Sequence, residues 1–304
     1  RQVRSGLSMS KIFMVSSGSE SFALRDWGAA QTAASIRSRL HFQAYLAKAW
    51  PDPDRGPIPE VNTRWSDGDL LVEEWGSVWS LSAWLTGHTP AADNSIALHS
   101  IASVASTLGQ MHGLSATLLQ KKTTSCGWID RIEILRQITD WLSSESARRT
   151  NVAPKSEPEV ELIQASERWL REMHVTGWLD RCVELSGKMA AREHDCCWIV
   201  RDAHLGNFLF NEAGQVSGFV DFGAAAVDWP GWDLVRCLSY QRLNEHQQRN
   251  FLDAYLNQTL AAGVNAVTKP IVDAIERGQF LHDLVHYEAI QRLVSVWNWL
   301  QLSK

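Results

Sequence analysis

The chain has 304 residues, 45% hydrophobic and 21% charged, with a formal net charge of −5. That length supports one large domain or two modest ones, and the small acidic excess argues against a general nucleic-acid binder, which would carry a basic stripe. Five scattered cysteines without a CxxC pair fit reduced thiols in a cytoplasm and not a disulfide framework or zinc site. No apolar run approaches the roughly 18 to 20 residues of a membrane span, and no signal peptide is visible. Tryptophan is abundant, 15 against 4 tyrosines, and its spacing among Leu and Ile points to core packing for most of it.

In chain order, Ile12 to Val15 and Phe22 to Leu24 are two short apolar runs around the turn Ser16-Ser17-Gly18-Ser19, which predicts a hairpin. The small-residue stretch Gly6 to Ser10, with Gly6, Ser8 and Ser10, could lie over phosphates through its backbone N–H groups. Arg25 follows the second run, where a guanidinium could reach phosphate oxygens or stand as a solvated strand-end charge. Residues 31–49 read as a helix, and no acidic residue occurs between Asp26 and Asp52. A proline-rich break follows, then the turn signal Asp67-Gly68 and two further strands around Leu70–Val72 and Val78–Leu81. The first 80 or so residues thus read as a small antiparallel sheet carrying one helix.

After about Gly87 the pattern becomes helical. Asp93-Asn94-Ser95 is a capping cluster before a helix over 96–112. Helices are expected over 128–142 and 159–173, split by an exposed loop over 143–158. Others are expected over 234–240, 245–260 and 271–300, the last with a break near Gly278.

The chemistry concentrates between Cys197 and Gly223. An apolar strand ends at Arg201-Asp202, and Asn207 opens the run Phe208-Leu209-Phe210. Asn211 to Gly214 turns the chain, Val216 to Val220 returns, and Asp221-Phe222-Gly223 closes the unit. A hairpin would carry Asp202, Asn207 and Asp221 towards one end. One carboxylate to orient a hydroxyl, with an Asn and an Asp to hold magnesium on a nucleotide, is equipment for phosphoryl transfer.

On these residues the chain resembles the aminoglycoside phosphotransferase and choline kinase-like family. The loop Val200-Arg201-Asp202-Ala203-His204-Leu205-Gly206-Asn207 is similar to that family's HGDxxxxN, and Val220-Asp221-Phe222-Gly223 to its IDFG. Asp228 to Leu234, the Leu108 to His112 helix end and Leu81 to Gly87 extend the likeness along most of the chain. The resemblance implies an α+β, bilobal protein kinase-like fold: an N-lobe over 1–84 with a small antiparallel sheet and one helix, and a larger, mainly helical C-lobe over 85–304. It implies ATP and Mg²⁺ as cofactors and a small-molecule hydroxyl as acceptor. Asp202 would be the catalytic base and Asn207 and Asp221 the metal ligands. Gly6, Ser8, Ser10 and Arg25 would meet the phosphates, and Ala83 and Leu85 would offer hinge backbone to adenine.

The chain departs from the family pattern at Val200 and Arg201, which stand where His and Gly are usual, and at Arg25, which stands where a strand Lys pairs with a helix Glu. That loss keeps open a catalytically weak pseudokinase acting as a nucleotide-binding module, and nucleotidyl transfer is a further alternative. Asp233 reads equally as an anchor for the catalytic loop or as a helix N-cap. His204 reads as a loop-packing or substrate-side residue. His282, His286 and Glu288 could line an acceptor pocket or a plain helix surface. Asp180, Glu184, Glu193 and Asp195 read as a solvated surface.

Overall fold

The first 90 residues of the computed structural model form a twisted antiparallel sheet with one helix packed on it; the structure describes residues 2–3, 10–28, 31–52, 56–61, 69–90, 97–144, 156–241, 243–263 and 265–302. The strands are β1 (Gln2–Val3), β2 (Lys11–Ser17), β3 (Glu20–Asp26), β4 (Leu71–Glu74) and β5 (Ser77–Ala83), in the order β1-β2-β3-β5-β4. The predicted β2–β3 hairpin turns at Gly18, whose φ of 62° suits a residue without Cβ. The predicted turn Asp67-Gly68 lies outside the described residues. The turn joining β4 to β5 is Trp75-Gly76, with φ of 53° and 73°, the backbone hand that matches strand twist. Trp75 is 88% exposed there.

Helix α1 (Ala33–Ala49) starts where the Thr32 hydroxyl accepts from the Ser35 N–H. It faces two cores. Ile36 and Leu40 join Trp27, Leu71 and Val78 under the sheet, whereas Phe42 and Leu46 belong to the large core that follows. The Gln43 side chain between them donates to the Pro59 carbonyl at 2.8 Å, so its burial carries no unpaired amide donor.

The larger part contains α2 (Leu98–Leu118), α3 (Cys126–Ser143), α4 (Glu157–Val175), α5 (Trp178–Ala190), α6 (Gly231–Gln241), α7 (Glu245–Ala261), α8 (Lys269–Glu276) and α9 (Gln279–Leu302). Among them run β6 (Lys121–Thr124), β7 (Glu193–Ile199), β8 (Phe208–Phe210), β9 (Val216–Phe219) and β10 (Ala226–Asp228). β10, β7 and β6 form one antiparallel sheet, and β8 and β9 the expected hairpin. The capping cluster Asp93-Asn94-Ser95 lies outside the described residues, as does most of the loop expected over 143–158; α2 begins after Ala97, which makes no side-chain cap bond. The break at Gly278 is present, with φ of 69° separating α8 from α9. α5 is absent from the sequence expectation. Gly177, at φ of 74°, ends the preceding helix and opens α5, whose buried stripe is only Leu179, Cys182 and Ser186. Asp180 and Glu184 lie on its outer side, and Glu184 pairs with Lys188 in solvent.

Most tryptophans pack as expected. Trp128 and Trp232 lie 4.4 Å apart between centroids, with Trp229, Phe280 and Tyr287 around them. All five cysteines are free, and Cys182, Cys196, Cys197 and Cys237 are buried. Among the described residues no helix is long and apolar enough to cross a membrane.

Candidate active site

β7 leads directly into the loop over 200–207. Val200, fully buried, donates its backbone N–H to the Asp233 carboxylate at 3.0 Å. The same carboxylate lies 3.1 Å from His112 Nε2, and His112 Nδ1 is 2.9 Å from the Tyr255 hydroxyl. Asp233 is therefore an anchor. It is not the N-cap, because α6 starts at Gly231 and Asp233 lies in its first turn. Arg201 takes a φ of 60°, a region that costs a side-chain-bearing residue roughly 1 kcal/mol or more. Its side chain offsets that strain through Asp130 at 2.6 Å and Asp228 at 3.4 Å, and Asp228 is held in turn by the Ser125 hydroxyl and the Trp229 N–H.

Asp202 follows. Arg236 holds one carboxylate oxygen through Nε at 3.1 Å and Nη2 at 3.0 Å, and His204 Nε2 stands 3.6 Å from the other. Burial pushes this carboxyl up, but the neighbouring His204 and Arg236 outweigh it and hold the group at about 2. His204 Nδ1 accepts the Gly206 N–H at 3.1 Å, so the ring braces the loop as well as facing Asp202. The Asn207 amide donates to the Asp202 carbonyl at 2.9 Å, and the Asn207 carbonyl accepts the Val220 N–H at 2.8 Å. One residue thus ties the loop to the strand end that presents Asp221.

Asp221 has φ of 70° and ψ of 70°, and its carboxylate accepts the Gly223 N–H at 3.1 Å. Arg25 Nη1 lies 2.8 Å from the same oxygen, and Nη2 donates to the Ser10 hydroxyl at 3.0 Å. The guanidinium sits 4.0 Å over the Trp27 ring, and among the described residues its buried Nε has no hydrogen-bond acceptor. Gly223 is required by closeness: a Cβ there would stand 2.7 Å from Arg25 Nη2 and 2.8 Å from Asp221 Oδ1. Of the other nucleotide-side expectations, Gly6 and Ser8 lie outside the described residues. The Ala83 N–H already donates to the Glu60 carbonyl at 2.8 Å. Among the described residues no hydrogen bond ends on the Leu85 backbone.

A cavity of about 850 Å³ opens beside Asp202, lined also by Arg39, Asp130, Arg131, Arg201 and Arg236. Arg236 and Arg131 were not singled out from sequence. The available signal for Arg236 was its position three residues after Asp233 on one helix, which lets Asp233 hold Val200 while Arg236 holds Asp202. Glu288 lines a separate cleft of about 220 Å³ with Trp178 and Arg292, and His286 packs on Trp178 with centroids 5.5 Å apart. His282 lines neither space.

A family model described as the phosphotransferase enzyme family matches residues 1–267. By sequence, no curated protein matches. Among solved structures, amicoumacin kinase hAmiN, in complex with AMP-PNP, Ca²⁺ and Ami, aligns with a TM-score of 0.62 at 11% identity, covering 99% of this chain and 81% of that one. Spectinomycin phosphotransferase APH(9)-Ia, in complex with ADP and spectinomycin, aligns with a TM-score of 0.59 at 14% identity, covering 99% of this chain and 92% of that one. A choline/ethanolamine kinase family protein from Mesorhizobium loti aligns with a TM-score of 0.53 at 17% identity, covering 99% and 80%. At these identities the likeness establishes the bilobal, protein kinase-like fold.

Proposed function

The chain belongs to the phosphotransferase enzyme family, and from that premise we propose that it moves the γ-phosphate of ATP to a hydroxyl of a small molecule. The observation that carries this reading is Asp202: it lines the large cavity while its own loop is tied through Asn207 to the segment bearing Asp221.

In this reading residues 1–84 hold the nucleotide and residues 85–304 supply catalysis and most of the acceptor pocket, to which Arg39 of α1 is added. Asp202 accepts a hydrogen bond from the acceptor hydroxyl and orients its oxygen towards the γ-phosphorus. A carboxyl held at about 2 is a weak proton acceptor, so its main contribution is alignment, and it takes the hydroxyl proton as the new P–O bond forms and the γ-phosphorus bond to the departing ADP breaks. Arg25 serves the phosphates with its two Nη groups, which stand between Asp221 and the Ser10 hydroxyl. The backbone of Leu85 is the hinge position left without a hydrogen bond among the described residues.

Asn207 and Asp221 offer a neutral and a charged oxygen donor, a set that fits Mg²⁺. Bound there, Mg²⁺ would neutralise phosphate charge. The Arg25–Asp221 pair favours a second reading, a weakly active nucleotide-binding module, because a metal must share Asp221 with a guanidinium.

Calorimetric titration of ATP and GTP, with and without Mg²⁺, tests both. Metal-dependent nucleotide binding followed by ATP consumption with a hydroxyl acceptor supports the enzyme. Binding without turnover across a broad acceptor panel supports the module, and no binding at all removes both.

A further inference from the structure

The walls of the large cavity carry five guanidinium groups, Arg39, Arg131, Arg201, Arg236 and Arg292, against the two carboxylates Asp130 and Asp202. Three of the five have acidic partners: Arg201 holds Asp130 and Asp228, Arg236 holds Asp202, and Arg292 reaches Glu288 at 3.5 Å. The other two do not. Among the described residues Arg39 donates to the Ala225 carbonyl at 3.3 Å and to the Gln31 side chain, both neutral. Arg131 is buried, donates to the Gly127 carbonyl at 3.1 Å and Gln291 at 2.8 Å, and lies 3.5 Å over the Trp232 ring. Among the described residues its Nε has no acceptor. Burial disfavours the cationic form of both; Arg25 and Arg201 add repulsion on Arg39, and at Arg131 the charge of Arg201 adds to it while Asp228 and Asp130 partly counter it.

Keeping unpaired guanidinium groups in a partly buried wall is costly unless an anion completes them. None of the residues assigned to the nucleotide and metal (Ser10, Arg25, Ala83, Leu85, Asn207 and Asp221) lines this cavity, whereas Asp202 does. The positive wall therefore belongs to the acceptor side. A basic wall would repel an amino sugar or amino alcohol.

We propose that the acceptor is an oxyanion-bearing alcohol, a hydroxy carboxylate or a phosphorylated polyol. Its hydroxyl lies at Asp202 and its anionic group at Arg39 and Arg131. The volume of about 850 Å³ accommodates a sugar-sized or larger molecule, and Ile134, Val296 and Trp299 give its carbon frame apolar surface. This inference rests on the phosphotransferase reading for the meaning of Asp202.

The test uses four ligands on one six-carbon frame: gluconate, glucose 6-phosphate, glucose and glucosamine. Each is titrated into the full chain without nucleotide and followed by calorimetry, so the outcome does not depend on ATP binding or turnover. At least one anionic ligand should bind about tenfold or more tighter than glucose and glucosamine, the worth of one or two charge-assisted contacts. Which of the two binds separates carboxylate from phosphate recognition. Arg39→Gln should erase most of that preference, and Arg292→Gln, at a more exposed position on the cavity rim, should reduce it in a variant under little folding risk. Glucosamine or glucose binding as tightly as the anions overturns the proposal. So does an anion preference that survives both substitutions, or the absence of binding by all four at about 10 mM, where specific contacts should register. Anion binding without any ATP binding would leave the anion site at Arg39 and Arg131 standing and remove the phosphotransferase reading, and with it the role of acceptor.

Discussion

Arg25 Nη1 lies 2.8 Å from Asp221 Oδ1, so the basic residue of β3 is paired directly with a candidate metal ligand and not with an acidic side chain from α1. α1 has no carboxylate to offer; it presents Gln43 to the Pro59 carbonyl and Arg39 to the Ala225 carbonyl. The orientation of Arg25 is thus specified by the segment bearing Asp221, with Ser10 and the face of Trp27 completing its surroundings.

Arg25→Gln should change two affinities in opposite directions. ATP should bind roughly tenfold more weakly through loss of a charge-assisted phosphate contact. Mn²⁺, titrated alone and followed by electron paramagnetic resonance, should bind about fivefold more tightly once Asp221 is released from a pair worth around 1 kcal/mol. A change in the same direction for both would show that Arg25 does not bridge the two functions.

Gly223→Ala attacks the same pair by steric means. The added methyl would meet Arg25 and Asp221 at 2.7 and 2.8 Å, well inside carbon contact distance. The expected phenotype is that of Arg25→Gln in the metal titration, with a loss of stability of roughly 1 to 3 kcal/mol from overpacking. Unchanged Mn²⁺ affinity would show that the segment relaxes without parting the pair.

Asp202→Asn keeps shape and removes both charge and proton affinity. Turnover should fall by roughly 10² to 10⁴, the span of general base contributions, while the ATP dissociation constant stays within about twofold. Turnover near wild type would take Asp202 out of the reaction.

Arg236→Gln should move the acid limit of the enzyme. With Asp202 held at about 2, below its ordinary value near 3.8, the stabilisation from this depressed carboxyl is complete above that ordinary value. It is lost as pH falls towards 2. Removing Arg236 leaves burial opposed mainly by His204, so the Asp202 carboxyl should rise by roughly one unit or more. The acid limbs of turnover and of thermal unfolding should shift upward together. An unshifted acid limb would mean that His204 alone sets the ionisation.

Asp233→Ala removes a fully buried carboxylate that serves the Val200 N–H and His112. Leaving two buried groups unsatisfied should cost about 3 kcal/mol, read as a lower urea midpoint at unchanged slope. Asp233→Asn, which retains an acceptor for Val200, should cost less. Equal losses for both would locate the energy in the charge and not in the hydrogen bonds.

What the sequence revealed follows from range. The β8–β9 hairpin and the spacing of Asp202, Asn207 and Asp221 lie within about 25 residues and depend on local alternation and turn chemistry, so strand, turn and return were readable. The α8–α9 break was readable from a single glycine. The surroundings of Asp202 were not, because Arg236, Arg131 and Arg39 each resemble an ordinary solvated helix charge in sequence. Their partners, from Gln291 to Ala225, come from distant elements. α5 was readable in principle, since Leu179, Cys182 and Ser186 recur at helical spacing; its charged residues, which read as a solvated surface, masked that period. Arg201 was visible only as a departure from Gly; its left-handed backbone and two ion pairs supply the reason it is tolerated.

The cysteines give the chain a built-in reporter of opening. Burial pushes the Cys126 and Cys182 thiols up to about 11 and Cys196 to about 12, with Cys197 and Cys237 displaced in the same direction. Thiolate is the reactive form, and Cys197 and Cys237 are buried, so their alkylation near neutral pH must wait for a fluctuation that exposes sulfur. Cys197 sits on β7 just ahead of the catalytic loop, and Cys237 on α6 beside Arg236. Residue-resolved labelling rates at these two positions therefore time the parting of the strand and helix that hold Asp202 between them, in the intact chain and without any introduced probe.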